Sequence, residues 1–535
     1  MHVTFLALGC EQLALSQLSA LARREGHDVS LAFSAALFDD RYFLRAPRLA
    51  AALDDRAAAL AEIVAQRPDL LACSVLTNTY RWMLELARAA KERVPGLRVV
   101  FGGVHPSAVP ERVLARPEVD YVCVGEGDVA FPALLRAFES GGPHGALPNL
   151  RYRDGHGGIV AGPQLPYFSD LDSLPHFEKP LWEEHLRVAD PYLTVASRGC
   201  PYRCTFCFNN FFVALPDGDG GRYVRQRSVA HVLDELGAAT SRYGELALVN
   251  FQDDVFTVDR EWLAPFLERY RREIGAPFRC MSHPRYVDDE IAGWLARAGC
   301  VGVQIGVQSI DDGFKHELKR YERTHHVARA IDALESRGVP VQVDHILGLP
   351  GEPDDAQHRA RHFYARHAPT RISIYWATYF PGTEMIQQGL AAGHLTAADV
   401  EAIEDGDLAA YHDAAAAGES GETAALLRGH DLVFRLHPWL PRRLRARVDP
   451  HWFRRWPRAV VGVLALAAVA LGTLRRTGRE ERAYLRHYLT TIARQAMRRA
   501  GLTPIGATRA ARVRPATMAR VSAPPARLAA ARRAA

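Results

Sequence analysis

The sequence is sparing with cysteine and lysine, has no long apolar run, and shows no block of one charge in its main body. Eight cysteines in 535 residues (Cys10, Cys73, Cys123, Cys200, Cys204, Cys207, Cys280 and Cys300) are too few and too scattered for a secreted disulfide scaffold. The longest apolar run, Ala459 to Leu474, has 16 residues, short of the ~20 that cross a bilayer comfortably. The opening MHVTFLALGCEQ has neither a basic stretch nor a small-residue cleavage site, so no signal peptide is expected and the cytoplasm is the expected compartment. Only four of the 66 basic residues are lysine, a bias of composition rather than chemistry. With 48% apolar and 24% charged residues the chain is neither mainly disordered, nor collagen-like, nor a polytopic membrane protein. The net charge of +5 misleads: residues 498–535 hold nine arginines and no acid, so subtracting those nine leaves −4 on residues 1–497. An acidic body argues against a nucleic-acid partner.

What is present divides into three regions and a tail. Residues 1–142 alternate β-rich runs (Val3–Leu8, Val29–Phe33, Leu70–Val75, Arg98–Phe101, Tyr121–Val124) with helical patterns, which predicts a doubly wound, Rossmann-like parallel sheet. Ligands of such sheets sit at the carboxyl ends of the strands. There the loops carry Gly9, Glu11 and Gln12, then Ser74 and Thr77, Gly102, Gly103 and His105, and Gly125, Glu126 and Gly127. Residues 143–190, rich in Gly, Pro and Asp, read as a linker. From 191 to 395 strands (Leu193–Ala196, Leu246–Phe251, Gly302–Val307, Val341–Leu347, Ile372–Ala377) again alternate with helices, which predicts a full or partial (β/α) barrel. Residues 396–499 read as helical. Within them the apolar segment 459–474 is fenced by Arg454, Arg455 and Arg458 before and Arg475 and Arg476 after, and reads equally as a buried or an interfacial helix. The Ala/Arg/Pro stretch 500–535 is expected to be a disordered basic tail.

Cys200, Cys204 and Cys207 lie within eight residues of a Gly- and Pro-bearing loop that follows a strand. Three thiols at loop spacing can converge on one inorganic centre. A structural zinc wants four protein ligands, and no fourth Cys or His lies at local spacing. An iron–sulfur cubane held by three thiolates leaves one iron open to an exogenous ligand.

The string Cys200-x3-Cys204-x2-Cys207, with Phe206 before the last cysteine, resembles the signature of the radical S-adenosylmethionine (SAM) superfamily. The resemblance implies a [4Fe-4S] cluster on these cysteines and SAM chelated to the open iron. Reduction then gives methionine and a 5′-deoxyadenosyl radical that abstracts hydrogen from substrate. It also implies Phe206, Asp253, Gln308 and Ser309 as SAM-binding positions. Asn250-Phe251-Gln252-Asp253-Asp254-Val255-Phe256 resembles the post-second-strand motif in the form seen with cobalamin partners, and Gly306-Val307-Gln308-Ser309 resembles a strand end that often reads Gly-x-Glu-Ser. Gln308 replaces that acid, but an amide still hydrogen-bonds. Gly348-Leu349-Pro350-Gly351-Glu352 and Pro381-Gly382-Thr383 resemble late-strand motifs of the same family. The front region resembles the cobalamin-binding domain that precedes the radical module in one large subgroup, through Gly102-Gly103-Val104-His105-Pro106 and Asp120 to Gly127. Its first loop lacks the histidine of the Asp-x-His-x-x-Gly element, so the lower axial site of cobalt is not expected to take a His from that loop. His105 stays open as an axial ligand, a corrin-tail contact or a turn residue.

The first functional reading is a cobalamin-dependent radical SAM enzyme that C-methylates an unactivated carbon. A radical cyclase or oxidoreductase without methyl transfer is the alternative. An RNA methylthiotransferase with a second cluster on Cys10, Cys73 and Cys123, and a non-enzymatic cluster or cobalamin sensor, are the further alternatives. The expected partners are a small-molecule substrate (lipid, tetrapyrrole or natural product), a low-potential donor such as a flavodoxin or ferredoxin, and a membrane surface touched peripherally from the cytoplasm.

Overall fold

The computed structural model describes residues 1–499 apart from 38, 41–43, 46–49, 52, 143–144, 217–220, 408–420, 458–459, 466 and 469–478. The expected tail, 500–535, lies outside these residues, as do 459, 466 and 469–474 of the apolar run.

The chain opens on β1 (His2–Leu8), whose interior is buried on both faces, as a central parallel strand requires. Helix α1 (Leu13–Arg24) lays Leu15, Leu21 and Ala22 inward and is turned back by Gly26 at φ +91° into β2 (Asp28–Ser34). Helix α2 (Arg56–Gln66), β3 (Leu70–Ser74), α3 (Tyr80–Arg93), β4 (Arg98–Gly102), β5 (Tyr121–Cys123) and α4 (Gly127–Glu139) repeat the pattern. The first five strands are parallel in the order β2-β1-β3-β4-β5. Apolar cores cover both faces of the sheet. This is the doubly wound sheet the alternation predicts, and its strand order reverses between β1 and β3, where such sheets open a crevice.

The segment read as a linker is structured. β6 (Leu150–Arg153) and β7 (Ile159–Ala161) extend the sheet antiparallel beyond β5. Farther on, Leu181, Trp182, Leu186 and Val188 join the front core. Strands of three and four residues with turn-forming Asp154 to Gly158 between them leave too short a periodic pattern to register in composition.

The second sheet has six parallel strands in sequence order: β8 (Tyr192–Thr194), β9 (Val249–Phe251), β10 (Phe278–Ser282), β11 (Cys300–Gln308), β12 (Val341–Leu347) and β13 (Arg371–Trp376). Helices α5 (Val229–Tyr243), α6 (Arg260–Glu273), α7 (Asp289–Arg297), α8 (Thr324–Glu335) and α9 (Ala356–His367) follow β8 to β12 in turn. This is the partial barrel. Its strand β12 alternates strictly: Val341, Val343, His345 and Leu347 are buried toward the helices, whereas Gln342, Asp344 and Ile346 point to the other, concave face. On that face Arg279 donates to Gln304 (2.8 Å) and Gln304 to Asp344 (2.7 Å), a polar row across β10, β11 and β12.

The C-terminal region is helical, as expected. After α10 (Glu384–Ala391) and α11 (Ala397–Glu404), α12 (Gly421–Leu436) packs Leu427 and Phe434 into the barrel core. Helix α13 (Arg479–Arg499) sets Glu480 3.0 Å from Arg279 and the Tyr484 hydroxyl 2.5 Å from the Asn250 amide, against the concave face. Within the apolar run, Val461 and Ala468 are buried while Val460, Val463 and Leu464 are exposed. The segment therefore has one inward and one outward side. No helix among the described residues is long and apolar enough to cross a membrane.

Candidate active site

The three-cysteine loop leaves the carboxyl end of β8. Asp253, in the loop after β9, accepts from the Ala196 N–H with both oxygens (3.0 and 3.1 Å) and from the Ser197 hydroxyl (2.5 Å), so it fixes the backbone that enters the loop. Burial pushes this carboxyl up to about 6 despite those donors. Gly199 follows at φ +87°, and a Cβ there would lie 2.4 Å from the Tyr223 carbonyl, so only glycine passes. Cys200 and Cys207 are half-buried, Cys204 is buried, and all three are free thiols. Burial pushes Cys200 and Cys207 up to about 12, a cost that thiolate–iron bonds reverse. Among the described residues no three His, Cys, Asp or Glu groups converge on a single metal ion. A cubane does not ask for that, because each thiolate takes a different iron. Three chain sulfurs, no fourth, and a positive group beside them fit a cluster with one open corner.

That positive group is Arg320, which the sequence does not single out. Its Nη1 lies 3.8 Å from Cys204 Sγ, its Nη2 donates to the Gly306 carbonyl (2.7 Å), and Nε donates to Glu322 (3.0 Å). Glu322 also accepts from His283 (3.1 Å); burial pushes this carboxyl up, but Arg320, His283 and Lys315 together outweigh it and hold it down at about 2. His283 in turn stacks on Tyr202, between the first two cysteines, at 4.2 Å. A buried ion pair thus clamps the loop and leaves a guanidinium at its edge. Asn209 Nδ2, 3.7 Å from Cys207 Sγ, supplies a second donor to sulfur.

In the front region a cavity of about 270 Å³ opens under the strand ends between α1 and α4. It brings together Ser74, Gly102, Gly103, Gly125, Glu126 and Gly127, whereas Gly9, Glu11, Gln12, Thr77 and His105 do not line it. One glycine of its rim is a steric necessity and another is tightly packed. A Cβ on Gly103 (φ +99°) would meet the Val75 nitrogen at 2.8 Å, and one on Gly127 would meet Leu18 at 3.2 Å. Gln12 Oε1 and His105 Nε2 are buried without a protein partner. An apolar slot with a glycine rim fits a large organic cofactor. Two of the predicted residues have other work. Glu11 is buried against Lys179 (2.5 Å), and Glu126 pairs with Arg225 (2.8 Å) and Arg198 (3.4 Å) across the domain junction. His105 is fully buried, with Nδ1 3.3 Å from the Thr77 hydroxyl and its ring 4.3 Å from Tyr80. Burial pushes its imidazole down to about 4, so it is neutral at physiological pH. Packed in this way it supports the loop rather than facing an open surface.

Residues 6–135 match the family model of the B12 binding domain, and residues 194–363 match that of the Radical SAM superfamily. The two span more than half of the chain, in the order the geometry requires. The protein is a cobalamin-dependent radical SAM enzyme. The cofactors of that pairing are cobalamin, SAM and a [4Fe-4S] cluster. An uncharacterized methyltransferase of Pyrococcus horikoshii is 23% identical over 384 residues, covering 71% of this chain and 78% of its own. The anaerobic magnesium-protoporphyrin IX monomethyl ester cyclase of Rubrivivax gelatinosus is 24% identical over 335 residues, covering 60% and 58%. Among solved structures, the radical SAM methyltransferase TsrM from Kitasatospora setae, with cobalamin and a [4Fe-4S] cluster bound, shares the fold at TM-score 0.58 and 18% identity, over 74% of this chain and 78% of that one.

In this radical SAM enzyme the other predicted positions divide. Phe206 packs against the cluster of Phe314, Leu318, Leu349 and Tyr379. Gln308 ends β11 at φ +65°, rare for a residue with a side chain, beside a register shift against β12. Ser309 is fully buried and donates to Glu352 (2.6 Å), part of a network that runs through Gln357 to His345. Cys73 and Cys123 are buried on opposite faces of the front sheet. Cys10, the third cysteine of the alternative second cluster, is exposed in the first loop.

Proposed function

We propose that the enzyme C-methylates an unactivated carbon of a hydrophobic or natural-product small molecule. One observation carries the reading: Arg198, two residues before Cys200, lines the front cavity and pairs with Asp128 (2.7 and 3.1 Å) and Glu126. The cofactor slot and the cluster loop therefore share a wall, and a substrate can meet both. When bound, the cluster and cobalamin supply one-electron cleavage of SAM and a metal that carries methyl. The chain's own part is positional. Cys200, Cys204 and Cys207 hold the cluster, Arg320 offers its guanidinium to the carboxylate of SAM, and Phe206 and Gln308 contact its adenosine. Asp253 and Ser309 act through the backbone and the Glu352 network rather than on SAM. Ser74, Gly102, Gly103, Gly125, Glu126 and Gly127 line the seat of cobalamin, while Gly9, Glu11, Gln12, Thr77 and His105 fix the surrounding loops. A flavodoxin or ferredoxin reduces the cluster in the cytoplasm.

A cyclase or oxidoreductase is the second reading, favoured by the likeness to the Rubrivivax cyclase. Anaerobic turnover with SAM deuterated in its methyl group separates the two. Three deuterium atoms in the product establish methyl transfer, whereas 5′-deoxyadenosine with an unlabelled, dehydrogenated or cyclised product establishes the second reading.

A further inference from the structure

The C-terminal region presents an apolar face that is exposed among the described residues. Val460, Val463 and Leu464 share the outward side of the helical stretch 460–465, with Val463 65% exposed. Trp452 (63% exposed) and Trp456 (44%) flank it at the N-terminal end. Around them, residues 442–458 hold seven arginines and one acid, Asp449. Arg443, Arg447 and Arg455 are exposed and have no carboxylate partner among the described residues.

Charge chooses the occupant. A second copy seated on this face would set the exposed Arg443, Arg447 and Arg455 against their own copies. An anionic bilayer complements them, and tryptophan with short aliphatic side chains suits the boundary between headgroups and acyl chains. Position gives the contact a use. Trp439, in the turn that follows α12, donates its indole N–H to the Ala468 carbonyl (3.0 Å), and α12 packs on the barrel beside β13, its edge strand. The face is thus tied to the edge strand of the barrel.

We propose that this face docks the enzyme on an anionic lipid bilayer, with Trp452, Trp456, Val460 and Val463 at the acyl boundary and Arg443, Arg447 and Arg455 against lipid phosphates. The proposal rests on the functional reading above only for its purpose, delivery of a membrane-borne apolar substrate. The test is flotation of the full chain, loaded with cluster and cobalamin, with two kinds of vesicle: pure phosphatidylcholine, and phosphatidylcholine with about one-third phosphatidylglycerol. The expected result is binding to the anionic vesicles alone, weakened by raised salt. Trp452→Ser with Val463→Glu should lower it about tenfold or more, and Arg447→Ser with Arg455→Ser by a similar factor. All these positions are exposed, so 5′-deoxyadenosine release and cobalamin content should equal those of the parent. No flotation, equal binding to neutral vesicles, or a concentration-dependent dimer abolished by Trp452→Ser overturns the proposal. Anionic flotation without SAM cleavage by the parent supports it and sinks the enzymatic reading instead.

Discussion

Glu352 shows how a motif residue can serve a site without touching it. It lies in the Gly-Leu-Pro-Gly-Glu stretch after β12, accepts from Ser309 (2.6 Å) and Gln357 (2.7 Å), and is pushed up to about 7 by burial. A carboxyl raised in the folded state adds stability below its unfolded value of about 4.5. That contribution is lost as pH rises through the folded value, here between about 4.5 and 7. Glu352→Gln keeps the shape and removes the charge. The variant should match the parent at pH 4 and be the more stable of the two at pH 8, by an amount of order 1–3 kcal/mol. A constant difference across that range in thermal melts would show that Glu352 does not titrate there. The three cysteines and the glycines of the front loops were legible in the sequence because their spacing and steric freedom are local properties. Arg320 and Glu322 were not. Two charged residues in a run with many others gain meaning only when β11 and the cysteine loop bring them beside Cys204. Asp253 was legible as a motif residue, but its use as the backbone anchor of Ala196 and Ser197 was not, since hydrogen-bond partners 56 and 57 positions away leave no local trace.

Among the elements, strands with a continuous or alternating apolar pattern declared themselves. β12 was delimited to the residue, and β1 and β3 to within one or two. β10 escaped because Arg279 and Met281 interrupt Phe278 and Cys280, and the interruption is functional: its concave face is where α13 docks. α13 itself carries no motif. Its Tyr484 hydroxyl accepts from Asn250 on β9 and lies 3.4 Å from Arg279 on β10, while Glu480 pairs with the same arginine, which continues through Gln304 to Asp344. Tyr484→Phe removes the hydroxyl and strands the Asn250 donor, a loss of about 1–3 kcal/mol. The expected outcome is a melting point lower by about 2–6 °C, with iron content intact. An unchanged melting point would mean that water replaces the hydroxyl and that α13 is held by its other contacts alone.

At the scale of the whole molecule, the chemistry requires two separately folded cofactor domains to present their mouths to one another. The sequence announces each domain but not their mutual placement, which depends on buried pairs between distant segments: Lys179 with Glu11, Arg225 with Glu126, and Arg198 with Asp128. The segment 143–190 adds strands to the front sheet and packs into the front core on its way to the second sheet, where composition suggested a linker. Asp128 can be altered without entering the cysteine loop. Asp128→Asn keeps its size and leaves Arg198 with Glu126 alone at 3.4 Å. In a double-mutant cycle with Arg198→Met the coupling energy of the pair should be about 1–3 kcal/mol, less than an isolated buried pair because Arg198 retains some solvent. If the junction aligns the two cofactors, Asp128→Asn should leave iron content and the release of 5′-deoxyadenosine unchanged while lowering the yield of methylated product per 5′-deoxyadenosine formed. Radicals would still be generated, but more of them would be quenched before methyl transfer. An unchanged yield alongside a measurable coupling energy would show that the pair stabilises the junction without setting the alignment.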